Sequence, residues 1–380
     1  MNAPYPPLTT YYVYLTEGCN LACKHCWLSP RFLAGGENGG YLDFDLFALA
    51  LREGKALGLS HVKLTGGEPL LHPDFHRMVR LLRQQGIGLT IETNGTLLDR
   101  QTARFLKAES TLGFISISID GESSESHDAF RGVKGSFEKS CQALRYLADE
   151  GYRPQVIMSV HKGNKLEAEG LVKLADKLGA GSVKLGLVTP SGRGDRMAEN
   201  DEILGLEELI AFGEWTSDYL VKQTSIPIFY NWPAAFFPLK DLMNYRGFSC
   251  NIHNILGILH DGQLSLCGIG TQEPELCFGK IGEDSIADIW QYHHLLKKIR
   301  EEIPDKLEGV CAECIFRTRC RGYCVAQNFH VSRRLTAPFW ICQQADDTGL
   351  FPATRKINRA SSVVFKKRET QHEVPETHLS

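Results

Sequence analysis

The sequence predicts an α/β fold, a partial (β/α)6 TIM-type barrel followed by a cysteine-rich C-terminal domain. Three observations predict it. Short β-rich runs alternate with helix-patterned segments from residue 11 to about residue 190. Those runs are nearly continuous in apolar residues, as in parallel strands buried on both faces and joined by right-handed crossovers. Of twelve cysteines, three fall within the first 26 residues and eight between Cys250 and Cys342.

The six strands are expected at Tyr11–Thr16, His61–Thr65, Gly88–Glu92, Phe114–Ile119, Gln155–Val160 and Ser182–Val188. Between them lie segments such as Asp43–Leu57 and Pro73–Gln85, whose apolar residues recur three and four apart and so form one helical face. In a barrel of this kind the chemistry sits at the C-terminal ends of the strands. Residues 1–205 are therefore expected to form the core. Residues 206–249 read as a bridge, a helical stretch (Leu206–Tyr219) followed by the aromatic, Pro-rich segment Ile226–Pro238. Residues 250–345 form the second cysteine domain. From 346 to 380 the chain turns polar and mixed in charge, and that tail is expected to be disordered.

Composition excludes several classes. A net charge of −3 gives no reason to expect nucleic acid or an anionic membrane as partner. No apolar stretch approaches the ~18 residues that span a bilayer. The start, Met1-Asn-Ala-Pro-Tyr-Pro-Pro, lacks a basic region followed by an apolar one, so no secretory signal is expected and the location reads as cytoplasmic. In a reducing compartment structural disulfides are disfavoured, and clustered thiols read first as metal ligands. Cys141 stands alone in a helical segment and reads as core.

The motifs fall at strand ends. After the first strand come Cys19, Cys23 and Cys26, spaced by three and then two residues. Tetrahedral zinc prefers four ligands taken as two close pairs. Three thiolates suit a cubane iron–sulfur cluster whose fourth iron stays open to a ligand. After the second strand comes Thr65-Gly66-Gly67-Glu68-Pro69, where two glycines let backbone approach a ligand or simply make a turn. The third strand ends Glu92-Thr93-Asn94-Gly95. On the fourth, Ser116, Ser118 and Asp120 alternate with apolar residues and share one face. They need partners or a ligand there. Arg131 can pair with a carboxylate, or be ordinary surface.

Taken in order, these motifs resemble the radical S-adenosylmethionine (SAM) superfamily over roughly residues 10–190. The resemblance implies that Cys19, Cys23 and Cys26 hold a [4Fe-4S] cluster whose fourth iron is chelated by the amino and carboxylate groups of SAM. It implies that Gly66, Gly67, Glu68 and Pro69 cradle the amino group, with Thr93 and Asn94 at the neighbouring strand end and Ser116 on the next strand. Ser118 and Arg131 would contact the ribose and the carboxylate, and Leu187 would lie near adenine. His25 stands where the family commonly has Tyr or Phe; its flat imidazole can fill that place.

The later cysteines make a second pattern. Cys250 is followed by Gly262 and Cys267, then Cys311-x2-Cys314-x5-Cys320-x3-Cys324, then Cys342. The run of four alone also suits one zinc ion. The whole array resembles the seven-cysteine SPASM extension of peptide-modifying radical SAM enzymes, which implies two auxiliary [4Fe-4S] clusters. It assigns Cys250, Cys267 and Cys324 to the first and Cys311, Cys314, Cys320 and Cys342 to the second. The first set is one ligand short, because residues 142–249 contain no cysteine. Cys277, on an expected strand, is read as packing.

The resemblance thus implies reductive cleavage of SAM to methionine and a 5′-deoxyadenosyl radical, with flavodoxin or ferredoxin as electron donor. The expected substrate is a ribosomally made peptide, cross-linked, epimerised or otherwise oxidised, held by the barrel mouth, the bridge or a separate recognition protein. A haem-pathway porphyrin enzyme and a non-enzymatic electron carrier stay open. A sulfatase-maturase-like oxidase is disfavoured, because those relatives carry Asp after the cysteine matching Cys267, and here that residue is Gly268.

Overall fold

The computed structural model describes residues 5–35, 39–242 and 250–357. Six parallel strands make the barrel wall: β1 (Thr10–Tyr14), β2 (His61–Thr65), β3 (Gly88–Thr93), β4 (Leu112–Ser118), β5 (Gln155–Val160) and β6 (Ser182–Leu187). They pair in chain order. Each crossover carries helix, as the alternation requires. The first, α1 (Phe44–Ala56), is capped by the Asp43 carboxylate, which accepts from the N–H groups of Asp45 and Leu46. Its buried face is Phe47, Ala50, Leu51 and Gly54, and the Tyr11 hydroxyl donates to the Ala50 carbonyl (3.2 Å). The second, α2 (Phe75–Gln84), buries Phe75, Met78, Val79 and Leu82 at helical spacing.

The sheet does not stop at six strands. Past β6 lies β7 (Ile228–Tyr230), a parallel strand from the expected bridge. Beside β1 lies β8 (Ile255–Ile258), also parallel, followed by the antiparallel strands β9 (Gln263–Ser265) and β10 (Cys277–Lys280). The ten-stranded order is β10-β9-β8-β1-β2-β3-β4-β5-β6-β7. An unclosed barrel leaves two edges of unpaired backbone groups. The bridge covers one and the C-terminal cysteine region the other, so neither is a mere appendage.

The polar tail begins later than expected. Residues 346–357 include the end of the helix Trp340–Asp347, a buried Phe351, a 3-10 turn (Ala353–Arg355) and a backbone bridge between Lys356 and Cys314. Phe351 is the physical reason, since its ring packs edge-on against Phe236 of the bridge. Residues 358–380 lie outside the described residues.

Candidate active site and cysteine clusters

The cysteine loop leaves the C-terminal end of β1 and is held on three sides. The N–H groups of Ala22 and Lys24 donate to the carbonyls of Arg131 and Phe130 (both 3.0 Å). These are orphan carbonyls of the last turn of α3 (Ser124–Arg131), which stops at Gly132 in the left-handed conformation. The Arg193 N–H donates to the Cys26 carbonyl (3.0 Å), and the Glu68 N–H to the Gly18 carbonyl (3.1 Å). The paired glycines are explained at this last contact. Gly66 has φ +137°, and a Cβ on Gly67 would lie 1.8 Å from the Gly18 carbonyl oxygen. The close approach that glycine permits is therefore to the cysteine loop itself.

Cys19, Cys23 and Cys26 line a cavity of about 300 Å³ at the C-terminal mouth of the barrel. Cys19 and Cys23 are buried, and burial pushes both thiols above their ordinary range. Hydrogen-bond donors point at their sulfurs: the Leu21 N–H (3.4 Å) and Asn94 Nδ2 (3.8 Å) at Cys19, and Arg131 Nη1 (3.6 Å) at Cys23. Donors aimed at buried sulfur suit thiolates that bind metal.

Most of the expected cofactor residues meet in this cavity. His25, Gly66, Gly67, Glu68, Thr93, Asn94, Ser118, Arg131 and Leu187 all line it. Pro69 and Ser116 do not. Pro69 opens a 3-10 turn behind Glu68, and Ser116 is buried with its hydroxyl unpartnered. The Glu68 carboxylate accepts from Thr93 Oγ1 (2.6 Å) and from the N–H groups of Asn94 (2.9 Å) and Leu70 (3.1 Å). It thereby ties the ends of β2 and β3 together. His25 stacks on Phe130 (4.5 Å between centroids), and burial lowers its pKa to about 3, so the ring is neutral.

Arg131 is not surface. It is buried, and its Nε donates to Asp120 Oδ2 at 2.5 Å. Asp120 Oδ1 accepts the Ser159 N–H (2.7 Å). Burial opposes both charges, but their mutual attraction prevails, so Asp120 is held below and Arg131 above its ordinary range.

Three residues escaped the sequence reading. Lys63 on β2, Glu92 on β3 and Lys184 on β6 project into the barrel, and Glu92 and Lys184 line the cavity. Lys63 Nζ lies 3.2 Å from Glu92 Oε2 and 3.9 Å over the Tyr12 ring. The signal was available: each alternates with apolar neighbours, as Ser116 and Ser118 do.

The later cysteines fall into two groups. Cys311, Cys314, Cys320 and Cys342 line one small pocket, walled by Phe316, Phe339 and Phe351 and by Pro233 and Ala235 of the bridge. Burial raises these thiols, Cys311 to about 11 and Cys320 to about 12. Cys250, Cys267 and Cys324 form the other group. Burial is the main cause there too, taking Cys267 to about 12, and the charge of Cys324 adds to both Cys250 and Cys267. Cys277 keeps apart, its thiol donating to the Gly270 carbonyl (3.7 Å). Among the described residues no three His, Cys, Asp or Glu side chains converge closely enough to hold a single metal ion. Three thiols around the barrel cavity and four around the small pocket suit the thiolate ligation of iron–sulfur clusters.

Comparison with known proteins agrees. The radical SAM superfamily profile matches residues 13–178, and the chain belongs to that superfamily. The SPASM profile, an iron–sulfur cluster-binding domain, matches residues 250–315, so a SPASM domain follows the barrel. The protein is thus a radical SAM enzyme that binds a [4Fe-4S] cluster and SAM, with further iron–sulfur ligation in the SPASM domain. The AdoMet-dependent heme synthase of Oleidesulfovibrio alaskensis is 29% identical over 341 residues, 84% of this chain and 82% of that one. The mycofactocin maturase MftC of Mycobacterium tuberculosis is 25% identical over 366 residues, 96% and 90% of the two chains. In fold, the chain is similar to Streptococcus suis SuiB bound to precursor peptide SuiA. That match has a TM-score of 0.67 and 17% identity, covering 89% of this chain and 76% of that one. Among the described residues no helix is long and apolar enough to cross a membrane.

Proposed function

We propose that this protein modifies a ribosomally made peptide by hydrogen abstraction, with flavodoxin or ferredoxin as electron donor. The observation that carries the reading is a second cavity of about 450 Å³ that shares Leu28, Pro30, Gly66 and Gly67 with the thiol-lined one. Its wall is rich in hydrogen-bonding side chains: Glu17 and Arg31 beside the cysteine loop, His260, Asp261, Gln263, Thr271 and Gln272 from the SPASM domain. Such a wall suits the amides of an extended peptide better than the flat apolar face of a porphyrin.

With one electron from the flavodoxin or ferredoxin, a [4Fe-4S] cluster carrying SAM would supply the chemistry of hydrogen abstraction at this site. The chain's own residues do the rest. Cys19, Cys23 and Cys26 would hold the cluster, with Asn94 and Arg131 donating to its thiolates. Ser118, Leu187 and His25 would wall the nucleoside, while Leu21, Trp27 and Ile157 exclude water from the chamber. The two later thiol groups would hold two auxiliary clusters.

The relation to heme synthases favours a second reading, a porphyrin substrate whose side chains are altered. One experiment separates them. Anaerobically reconstituted holoenzyme is titrated with peptides encoded by short reading frames beside its gene, and separately with an iron porphyrin. Perturbed cluster spectra and substrate-dependent 5′-deoxyadenosine with a peptide support the proposal; the same response to the porphyrin alone overturns it.

A further inference from the structure

The barrel interior carries a charge imbalance that the cofactor residues leave untouched. Two ammonium groups, Lys63 and Lys184, face one carboxylate, Glu92. Lys63 takes that carboxylate at 3.2 Å and rests on the Tyr12 ring. Lys184, level with Ile157 in the β5–β6 register and through it with Ser118, has no hydrogen-bond partner among the described residues, and it faces the cavity. Lys184 is half-buried and shares Glu92 with Lys63, so two cations stand against one carboxylate and a further anion would balance the charge.

We propose that Lys184 anchors a carboxylate of the peptide substrate, either its C-terminus or an Asp or Glu side chain, in the thiol-lined cavity. Lys184 is the cation left without a hydrogen bond once Lys63 takes Glu92, and it lines the same cavity as Cys19, Cys23 and Cys26. Burial pushes its pKa below the ordinary lysine range, Glu92 pulls it back and Lys63 pushes it down again, so an incoming carboxylate would favour the ammonium form. A substrate fixed at one charged point presents one set of hydrogens to the radical. The inference rests on the reading that SAM and substrate meet in this cavity.

The test uses holoenzyme, with SAM titrated calorimetrically first and hippurate or its neutral amide, hippuramide, second. Hippurate is an acylated amino acid with a free carboxylate, the smallest imitation of a peptide C-terminus. Hippurate should bind about ten- to a hundred-fold more tightly than hippuramide, the value of one charge-assisted hydrogen bond. Lys184→Met should erase that preference and Lys184→Arg should keep it. Equal binding of the two probes, binding of neither, or a preference that survives in Lys184→Met overturns the proposal. Loss of SAM binding in Lys184→Met with retention in Lys184→Arg also overturns it, by giving the ammonium to the cofactor's own carboxylate. Failure of the wild-type holoenzyme to bind SAM removes the underlying reading instead.

Discussion

Arg131 has two proposed jobs, and the structure allows them to be separated. It is the buried partner of Asp120, and it lines the cavity beside Cys23. Arg131→Met alone leaves the Asp120 carboxylate inside the barrel with the Ser159 N–H as its one hydrogen-bond donor among the described residues. Removing one member of a buried ion pair costs about 3–5 kcal/mol, because the survivor keeps its desolvation penalty. Replacing both members by apolar residues of similar volume is often neutral. Arg131→Met should therefore lower unfolding free energy by about 3–5 kcal/mol, and the double variant with Asp120→Leu should recover most of it. Binding of SAM should behave differently. If Arg131 holds the carboxylate of SAM, both variants lose about 1.5–3 kcal/mol of affinity, ten- to a hundred-fold. Urea unfolding gives the first quantity and calorimetric titration of SAM the second, with iron content checking that Cys23 still binds. A double variant that regains wild-type affinity would show that Arg131 acts only by neutralising Asp120.

Three further outcomes are expected. Gly67→Ala should empty the barrel cluster, because its methyl group meets backbone at 1.8 Å and the cysteine loop must move by well over an ångström; unchanged iron content would mean that the loop accommodates it. The triple change of Cys19, Cys23 and Cys26 to Ala should remove about one third of the iron and all 5′-deoxyadenosine, and SAM cleavage by that variant would refute the ligand assignment. Cys277→Ala should keep its full iron complement and near-normal turnover, since the thiol is engaged with Gly270; loss of one cluster's iron would make Cys277 the missing fourth ligand.

The six barrel strands were legible almost to the residue because strands buried on both faces are continuous apolar runs. The flanking strands were not. Ile228–Tyr230 is three residues inside an aromatic, Pro-rich segment with no alternation to betray it. Ile255–Ile258 is as apolar as any strand, but nothing local says that its neighbour is β1, some 245 residues earlier in sequence. The resemblance placed Cys311, Cys314, Cys320 and Cys342 in one set, and those four thiols line one pocket. The burial of Arg131 was hidden, because it depends on the cysteine loop docking over the end of its helix. Lys63, Glu92 and Lys184 lie within the expected strands and carry the same inward alternation as Ser116 and Ser118, but were not singled out.

The pairing of β8 with β1 also sets where the first SPASM cysteines lie relative to the barrel. Tyr12 is in register with Gly257, where an added Cβ would lie 2.8 Å from the Cys267 backbone. The cysteine that follows β9 is thus pressed onto the sheet beside β1, and hydrogen-bonded strands, rather than a linker, set its place relative to the barrel mouth. The next residue, Gly268, has no room for a side chain: a Cβ would lie 2.4 Å from the Tyr14 ring and 2.7 Å from Trp27, which meet edge to face. An acid at this position, as in sulfatase-maturing relatives, would have to displace that aromatic pair. Of the carboxylates on the cavity wall, Glu68 is already committed to three donors. Glu92, held ionised by Lys63 and Lys184, is the one left to face a substrate.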